Sequence, residues 1–137
     1  VNISAHIPEL YIENLPQRLG IYRRIADIKT QDDVSDVIDE LCDRFGEPPK
    51  SVLGLIDVAL IRNSAAAHGI KEISQNGGNL LLYVDEISGE HTARLLSHFK
   101  NRFLLSAGKR PYYSIRIGSE SSAECLKEIM TALSAEE

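Results

Sequence analysis

Apolar residues recur at helical spacing through the first half of the chain, and three helices account for them. Asn14 can cap the first helix, and Pro16 fits its first turn, where a missing N–H is harmless. This helix is predicted to end between Asp27 and Lys29. Its apolar face would be formed by Leu15, Leu19, Tyr22 and Ala26, widened by Ile21, Ile25 and Ile28.

The second predicted helix has the most regular apolar stripe in the sequence. Thr30 can cap it, and Asp32 and Asp33 in the first turn favour the positive end of the helix dipole. Gly46 is a typical helix stop. The stripe consists of Val34, Val37, Ile38, Leu41, Cys42 and Phe45.

A third helix is predicted to follow Pro48 and Pro49 and to run to His68, with Gly69 as its C-cap. It is apolar nearly all round, which is typical of a central helix. Upstream of the three helices, residues 1–7 alternate between apolar and polar, which predicts a short strand. Because this strand pattern opens at Val1 rather than after a methionine, the chain is expected to be a fragment.

The hydrophobic period changes after residue 69. Residues 70–74 and 79–84 are short β-prone runs, and Gln75–Gly78 between them predicts a hairpin. A helix starting at Ser88 or Gly89 follows, and a strand then alternates through Tyr113, Ile115 and Ile117. That helix would bury Ala93, Leu96, Phe99 and Phe103.

A last helix is capped by Ser119 or Ser121 and turns Cys125, Leu126, Ile129, Met130 and Leu133 inward. The order strand, three helices, hairpin, helix, strand, helix predicts an α+β fold, with a three-helix half packed with a small, mostly antiparallel sheet and two further helices. At 137 residues the chain has the usual size of one domain. We therefore expect a single domain over 1–137, with a helical half at 1–69 and a β-containing half at 70–137.

Charge and cysteine content narrow the class of protein. A net charge of −5 disfavours duplex DNA as the main partner of the whole molecule. Cys42 and Cys125 both lie on predicted apolar stripes, which indicates reduced core thiols and a cytoplasmic location. No apolar run approaches the roughly 20 residues of a membrane span, so no membrane partner is expected.

Motifs for catalysis or for metal or nucleotide binding are missing from the sequence. Gly108-Lys109 is followed by Arg110 and lacks the upstream glycine of a phosphate loop. The histidines form no H-E-x-x-H pair, and no G-x-S-x-G sequence occurs. We expect no catalytic, cofactor-binding or metal-binding residue, and no cofactor in this domain.

Acidic residues stand opposite the apolar stripe of the second predicted helix. They are Asp32, Asp36, Asp39, Glu40 and Asp43, with Arg44 as the nearby cation. Two interpretations remain open: a solvated face, or a docking surface for a partner that carries arginines.

A basic turn in the second half offers a different kind of site. Lys100, Arg102, Lys109, Arg110 and Arg116 surround Tyr112 and Tyr113, an interleaving that single-strand binders use for phosphate contact and base stacking. Lys109, Arg110, Tyr112 and Tyr113 are thus candidate nucleic-acid contacts. A solubilising loop beside ordinary strand tyrosines explains the same pattern.

The run from Ile7 to Gly46 closely resembles the TRCF domain of bacterial transcription-repair coupling factors. The matching pieces are Ile7-Pro8, Tyr11-Ile12, Arg18-Leu19, Tyr22–Ala26, Glu40-Leu41, Asp43–Gly46 and Pro49, and the following helix, Leu55–Asp57 through Leu60–Arg62, is also similar. The resemblance covers about half of the chain, and the combination is more specific than any single piece.

The resemblance implies a non-catalytic regulatory domain of an ATP-dependent DNA translocase that removes stalled RNA polymerase and recruits UvrA. ATP, Mg²⁺ and DNA would be bound by other domains of that parent protein. The domain would clamp a UvrB-like module of the same polypeptide and hide its UvrA-binding surface. By motif match, Glu40 and Asp43 would face arginines of that module, and Asp36, Asp39 and Arg44 complete the expected docking set.

Overall fold

A computed structural model describes residues 5–134 and confirms the predicted α+β class. The chain divides into two compact units, residues 1–64 and 65–137. The helices are α1 (Leu15–Ala26), α2 (Gln31–Phe45), α3 (Lys50–Ala67), α4 (Gly89–Phe99) and α5 (Ser122–Ser134). The strands are β1 (Ile70–Asn76), β2 (Asn79–Val84), β3 (Phe103–Ser106) and β4 (Tyr112–Arg116).

The helix starts of the first unit follow the predicted capping chemistry. The Asn14 side chain accepts a hydrogen bond from the Gln17 N–H at 2.9 Å. At α2 the Thr30 hydroxyl accepts from the Asp33 N–H, and the Asp33 carboxylate accepts from the Thr30 N–H. These reciprocal bonds form a capping box and hold the pKa of Asp33 below its ordinary value, first through backbone hydrogen bonds from Lys29 and Thr30.

Ile21 and Ile25 form the buried face of α1 as predicted, whereas Leu15 and Leu19, which were predicted to share that face, do not. Leu15 and Leu19 are 53% and 43% exposed, and Ala26 is also exposed, which corrects the predicted face. The reason is that the predicted stripe is wider than the buried one: the isoleucines and the partly buried Tyr22 pack on the core, and Leu15 and Leu19 lie beyond its edge. The core of the unit consists of Ile7, Ile12, Ile21, Ile25, Ile28, Val34, Val37, Leu41, Val52, Ile56 and Ala59.

Two further expectations for the first unit are wrong in part. Cys42 is exposed, because the buried stripe of α2 narrows to Val34, Val37 and Leu41 and leaves Cys42 beyond its edge. The predicted first strand lies partly outside the described residues. Its described part, residues 5–7, forms no strand, and the Ile7 N–H donates to the Tyr22 hydroxyl at 2.8 Å.

One side chain of α3 satisfies the backbone at the end of α1. The Asn63 amide nitrogen donates to the Ala26 carbonyl at 2.9 Å and to the Ile28 carbonyl at 2.6 Å. The Ala26 carbonyl ends α1 and has no partner within the helix, and the Ile28 carbonyl, which follows it, is the partly buried one of the two.

The second unit is built on one antiparallel sheet with the strand order β1-β2-β4-β3. The predicted hairpin is present, and its turn is Gly77-Gly78, where Gly77 has a φ of +61°. A register shift between Ile70 and Glu72 places a β-bulge in edge strand β1. The other edge strand, β3, has only four residues.

Strand β3 is absent from the sequence-based prediction. The α4 helix ends at Phe99, and Lys100 turns the chain with a φ of +54°, so Phe103 belongs to the sheet and not to the helix. Leu95 and Phe99 are the buried residues of α4, while Ala93 and Leu96 are exposed, which corrects the predicted face. Cys125 is buried as expected. The core consists of Ala65, Ile70, Leu80, Leu82, Val84, Leu95, Phe99, Phe103, Tyr113, Ile115, Cys125, Ile129, Met130, Ala132 and Leu133.

Two histidines of the second unit lie edge to face. The rings of His68 and His91 are 5.1 Å apart, and His68 Nε2 lies 2.9 Å from the Ser134 hydroxyl. Burial, followed by the neighbouring His91 and Arg94, lowers the pKa of His68. Burial also lowers the pKa of His91, although Glu90 acts in the opposite direction. Folding therefore favours the neutral rings.

We expect Asn63→Ala to lower the free energy of unfolding by roughly 1 to 2 kcal/mol, because it leaves the partly buried Ile28 carbonyl without its donor, whereas the exposed Ala26 carbonyl can bond to water. Urea unfolding followed by circular dichroism measures the change. The matched control is the exposed neighbour in Arg62→Ala, which should change stability by less than about 0.5 kcal/mol. Equal losses in the two variants would contradict the assigned role of the Asn63 amide.

We also expect the histidine pair to make stability depend on pH. Unfolded imidazoles bind protons near pH 6.5, whereas the folded pair binds them only at lower pH. The free energy of unfolding should therefore fall as pH drops through about 6.5. Thermal unfolding of the chain and of a His68→Gln/His91→Gln variant between about pH 7.5 and 5.5 checks this, since the variant should lose part of the slope. An unchanged slope would contradict the proposed protonation.

Candidate docking surface on the second helix

Three aspartates form an exposed line along α2. Asp36, Asp39 and Asp43 are spaced by three and four residues, which places them on one side of a helix. Each is exposed, and none of them forms an ion pair with another residue of the described range 5–134. We call these three residues the acidic strip. Its carboxylates are available to a cationic partner.

Glu40, the fourth acidic residue in the expected docking set, is already paired within the chain. Arg44 Nη1 donates to Glu40 Oε2 at 2.7 Å, and Arg24 Nη1 on α1 donates to Glu40 Oε1. The hydrogen bond from Arg44, and then the charge of Arg24, lower the pKa of Glu40. The Glu40 side chain is only 28% exposed. It therefore links α1 to α2 in this structure.

Arg44 is held from two sides. Besides Glu40, its guanidinium lies over the Phe45 ring, 4.8 Å from the centroid. Phe45 in turn packs against Tyr11 at 6.0 Å between ring centroids, and the Tyr11 hydroxyl donates to the Gly46 carbonyl at 2.7 Å. The arginine at the end of the helix is thus a fixed part of the surface.

A shallow open cleft of about 120 Å³ adjoins the acidic strip between α1 and α2. It is lined by Arg24, Asp27, Ile28, Asp33, Asp36 and Val37. Asp36 belongs both to the cleft and to the strip. Its carboxylate can therefore receive a cationic side chain that lies along either one.

The basic turn does not assemble the predicted nucleic-acid contacts as a set. Tyr113 is fully buried, and its hydroxyl accepts a hydrogen bond from the Ser88 N–H at 2.9 Å, so it has no face free for a base. Tyr112 is partly exposed, and Lys109 is exposed. Arg110 pairs with Glu72 at 2.6 Å and lies over the ring of Tyr83 at 3.9 Å.

Tyr83 is the residue that sequence reasoning missed at this place. It alternates with Leu82 and Val84 in β2, and both of those neighbours are buried. Side chains alternate between the two faces of a strand, so Tyr83 lies on the face opposite Leu82 and Val84. The alternation of residues in β2 could therefore have predicted that Tyr83 is accessible.

Residues 5–134 contain neither a candidate metal site nor a helix that could span a membrane. No group of three His, Cys, Asp or Glu side chains there is arranged to hold a metal ion. No helix in this range is both long and apolar enough to cross a membrane.

Comparison with known families supplies the decisive observation. The sequence profile of the TRCF domain matches residues 1–95. The chain belongs to the TRCF domain family. This confirms the resemblance seen in the sequence and extends it into α4.

The curated relatives of this TRCF domain are much longer proteins. The transcription-repair-coupling factor of Bacillus subtilis (strain 168) is 30% identical over 139 aligned positions, which cover 97% of this chain and 12% of that protein. The transcription-repair-coupling factor of Staphylococcus aureus (strain USA300) is 35% identical over 77 residues, which cover 56% of this chain and 7% of that protein. The domain therefore spans about an eighth of the first relative.

A solved structure shares the fold. The crystal structure of the C-terminal domain of a transcription-repair coupling factor superposes with a TM-score of 0.79 at 18% identity, covering 97% of this chain and 88% of that one. This likeness supports the α+β fold over both units, including the part of the chain beyond residue 95.

We expect the contact between Arg24 and Glu40 to be an energetic link between α1 and α2. A double-mutant cycle with Arg24→Ala and Glu40→Ala should give a coupling of about 0.2 to 1 kcal/mol, as for other exposed pairs. Urea unfolding of the four proteins measures it. Arg23→Ala replaces Arg24→Ala in the control cycle, since Arg23 is exposed and forms no ion pair with a described residue. A coupling near zero in both cycles would contradict the link.

Proposed function

We propose that this TRCF domain is a non-catalytic regulatory domain that docks through the acidic strip on a UvrB-like module of its parent protein. The observation that carries the proposal is the line of Asp36, Asp39 and Asp43, three exposed carboxylates with no partner in the described part of the chain. A carboxylate of this kind accepts arginine in a charge-assisted, bidentate hydrogen bond. Arginines on the module would donate these hydrogen bonds.

The proposal extends to the parent protein. We infer that it is a cytoplasmic, ATP-dependent DNA translocase that displaces stalled RNA polymerase and recruits UvrA for excision repair. ATP, Mg²⁺ and DNA would be bound in its other domains, and this domain would carry no cofactor. What supports this is membership of the TRCF domain family, whose curated relatives are named transcription-repair-coupling factors.

Glu40 has a different role from the acidic strip in this proposal. The family resemblance implies that both Glu40 and Asp43 would face arginines of the module. In the domain as it stands, Arg24 and Arg44 already occupy the Glu40 carboxylate. A docked arginine would share or replace the contact with Arg24, which is an exposed pair and therefore weak. Glu40 would then exchange one cation for another upon docking.

An interface of this strength would hold the domain on the module at rest and still allow its release. Exposed ion pairs contribute only about 0.2 to 1 kcal/mol each, so a few together give on the order of 2 to 3 kcal/mol. A difference of that size leaves the open form at roughly 1%. A partner with modest preference for the open form can then shift the equilibrium.

Reversing the charge of the acidic strip should weaken docking. We expect Asp36→Lys/Asp39→Lys/Asp43→Lys to lower the affinity of this domain for the isolated UvrB-like module by roughly 30- to 150-fold, the equivalent of 2 to 3 kcal/mol. Isothermal titration calorimetry measures it. In the full-length parent, Glu40→Lys/Asp43→Lys should raise UvrA binding in the absence of RNA polymerase.

The matched control is Glu13→Lys/Glu86→Lys, which reverses two exposed charges away from α2. This variant should bind the module as the unchanged domain does. If UvrA binding stays at its resting level in the Glu40→Lys/Asp43→Lys parent, the docking proposal is wrong. An equal effect in the control variant would show that net charge, and not the strip, governs the interaction.

A further inference from the structure

The sheet of the second unit has one face that its helices leave uncovered. Buried residues of α4 and α5 pack with Leu80, Leu82, Val84 and Tyr113, which all belong to the other face. Alternation along the strands turns the remaining side chains away from that core. Leu81, Tyr83, Leu104, Tyr112 and Arg116 therefore share the second face, which we call the open sheet face. Leu104 on it is 70% exposed.

Two tyrosines and an arginine form a stack on the open sheet face. Tyr83 and Tyr112 are direct partners across β2 and β4, and their ring centroids are 5.4 Å apart. The Arg110 guanidinium lies 3.9 Å from the centroid of the Tyr83 ring. Both tyrosines are partly exposed. Such π-faces and guanidinium planes are the surfaces on which unpaired bases stack.

The charge of this face is opposite to that of the molecule. Its strands contribute Arg116 and the Glu72 carboxylate, and the adjoining turn contributes Lys109 and Arg110, while Asp85 at the end of β2 is paired with Lys71. Arg110 neutralises Glu72 by an ion pair. Arg116 and Lys109 are exposed and form no ion pair within the described residues. A local excess of positive charge thus lies beside aromatic rings in a chain of net charge −5.

We propose that the open sheet face is a binding site for single-stranded nucleic acid, with bases stacked on Tyr112 and on the outer side of the Arg110 guanidinium, which Tyr83 supports from below, and with phosphates on Arg116 and Lys109. The combination of rings and cations favours this ligand over an acidic peptide, which would use only the cations. A duplex hides its base faces, so a site built on stacking favours the single strand. The proposal uses no residue of the acidic strip and stands apart from the docking proposal.

Fluorescence anisotropy of the 137-residue chain with labelled strands of about 12 nucleotides, at about 50 mM salt, tests this site. Single-stranded DNA, single-stranded RNA, a duplex of the same length and a poly-glutamate peptide serve as ligands. We expect both single strands to bind more tightly than the duplex and the peptide. Tyr83→Ala and Tyr112→Ala should each weaken single-strand binding by roughly 5- to 150-fold.

Matched variants separate the contributions to binding. Tyr83→Phe and Tyr112→Phe keep the rings and should keep most of the affinity. Arg116→Ala and Lys109→Ala should each lower the slope of log affinity against log salt by about 0.7. Arg23→Ala and Arg62→Ala remove the same charge from exposed positions of the first unit and should leave the slope unchanged. If an alanine variant of a tyrosine does not fold, Arg116→Glu and Lys109→Glu replace it in the test. Each should weaken single-strand binding because it reverses a charge that contacts phosphate.

Three outcomes would overturn the proposal. One is no binding of any strand at low salt. Another is equal binding of single strand and duplex that Tyr83→Ala and Tyr112→Ala leave unchanged, which would indicate nonspecific charge attraction. The third is binding of the acidic peptide alone, which would make this face a protein-binding surface.

Discussion

Burial of the apolar side of α2 determines which of its residues are exposed on the opposite side. Val34, Val37 and Leu41 pack into the core of the first unit, so rotation of the helix is no longer free. With that side held, the pitch of an α-helix places Asp36, Asp39 and Asp43 on the solvent side, one above another. The capping box at Thr30 and Asp33 and the glycine stop at Gly46, with a φ of +86°, define where the helix starts and ends. The surface chemistry of the domain follows from this packing.

The same packing explains which parts of the fold could be predicted from the sequence. Helix caps and the hairpin turn were predictable because a single residue decides each of them, as Asn14, Thr30 and Gly77 do. The burial of Leu15 and Leu19 was predicted wrongly, since periodicity does not show how much of an apolar stripe is buried. Only the neighbouring helices determine which part of the stripe turns inward. Strand β3 was missed because four residues after a helix carry too little alternation to indicate a strand.

The candidate sites were predictable to different degrees. The line of aspartates on α2 followed from helical spacing alone. The engagement of Glu40 by Arg24 could not be predicted, because the two residues are 16 positions apart and meet only when α1 packs on α2. Tyr83 and Tyr112 likewise become neighbours only through the register of β2 with β4. At both sites, the contacts that the sequence could not predict are those between different helices or strands. Contacts within one helix or strand followed from residue spacing.

The two edges of the sheet differ in how well they resist pairing with another chain. On β1 the bulge between Ile70 and Glu72 breaks the regular spacing of donors and acceptors, and Lys71 and Glu72 add charge beside it. Strand β3 has neither device and is protected only by its length of four residues, and it presents Leu104 and Leu105 to solvent. Exposed, uncharged edges are the places where strands of separate molecules join. If concentrated solutions of this protein associate, β3 is the strand at which hydrogen bonds between two molecules would form first. Leu104→Lys would place a charge on this strand and oppose that pairing.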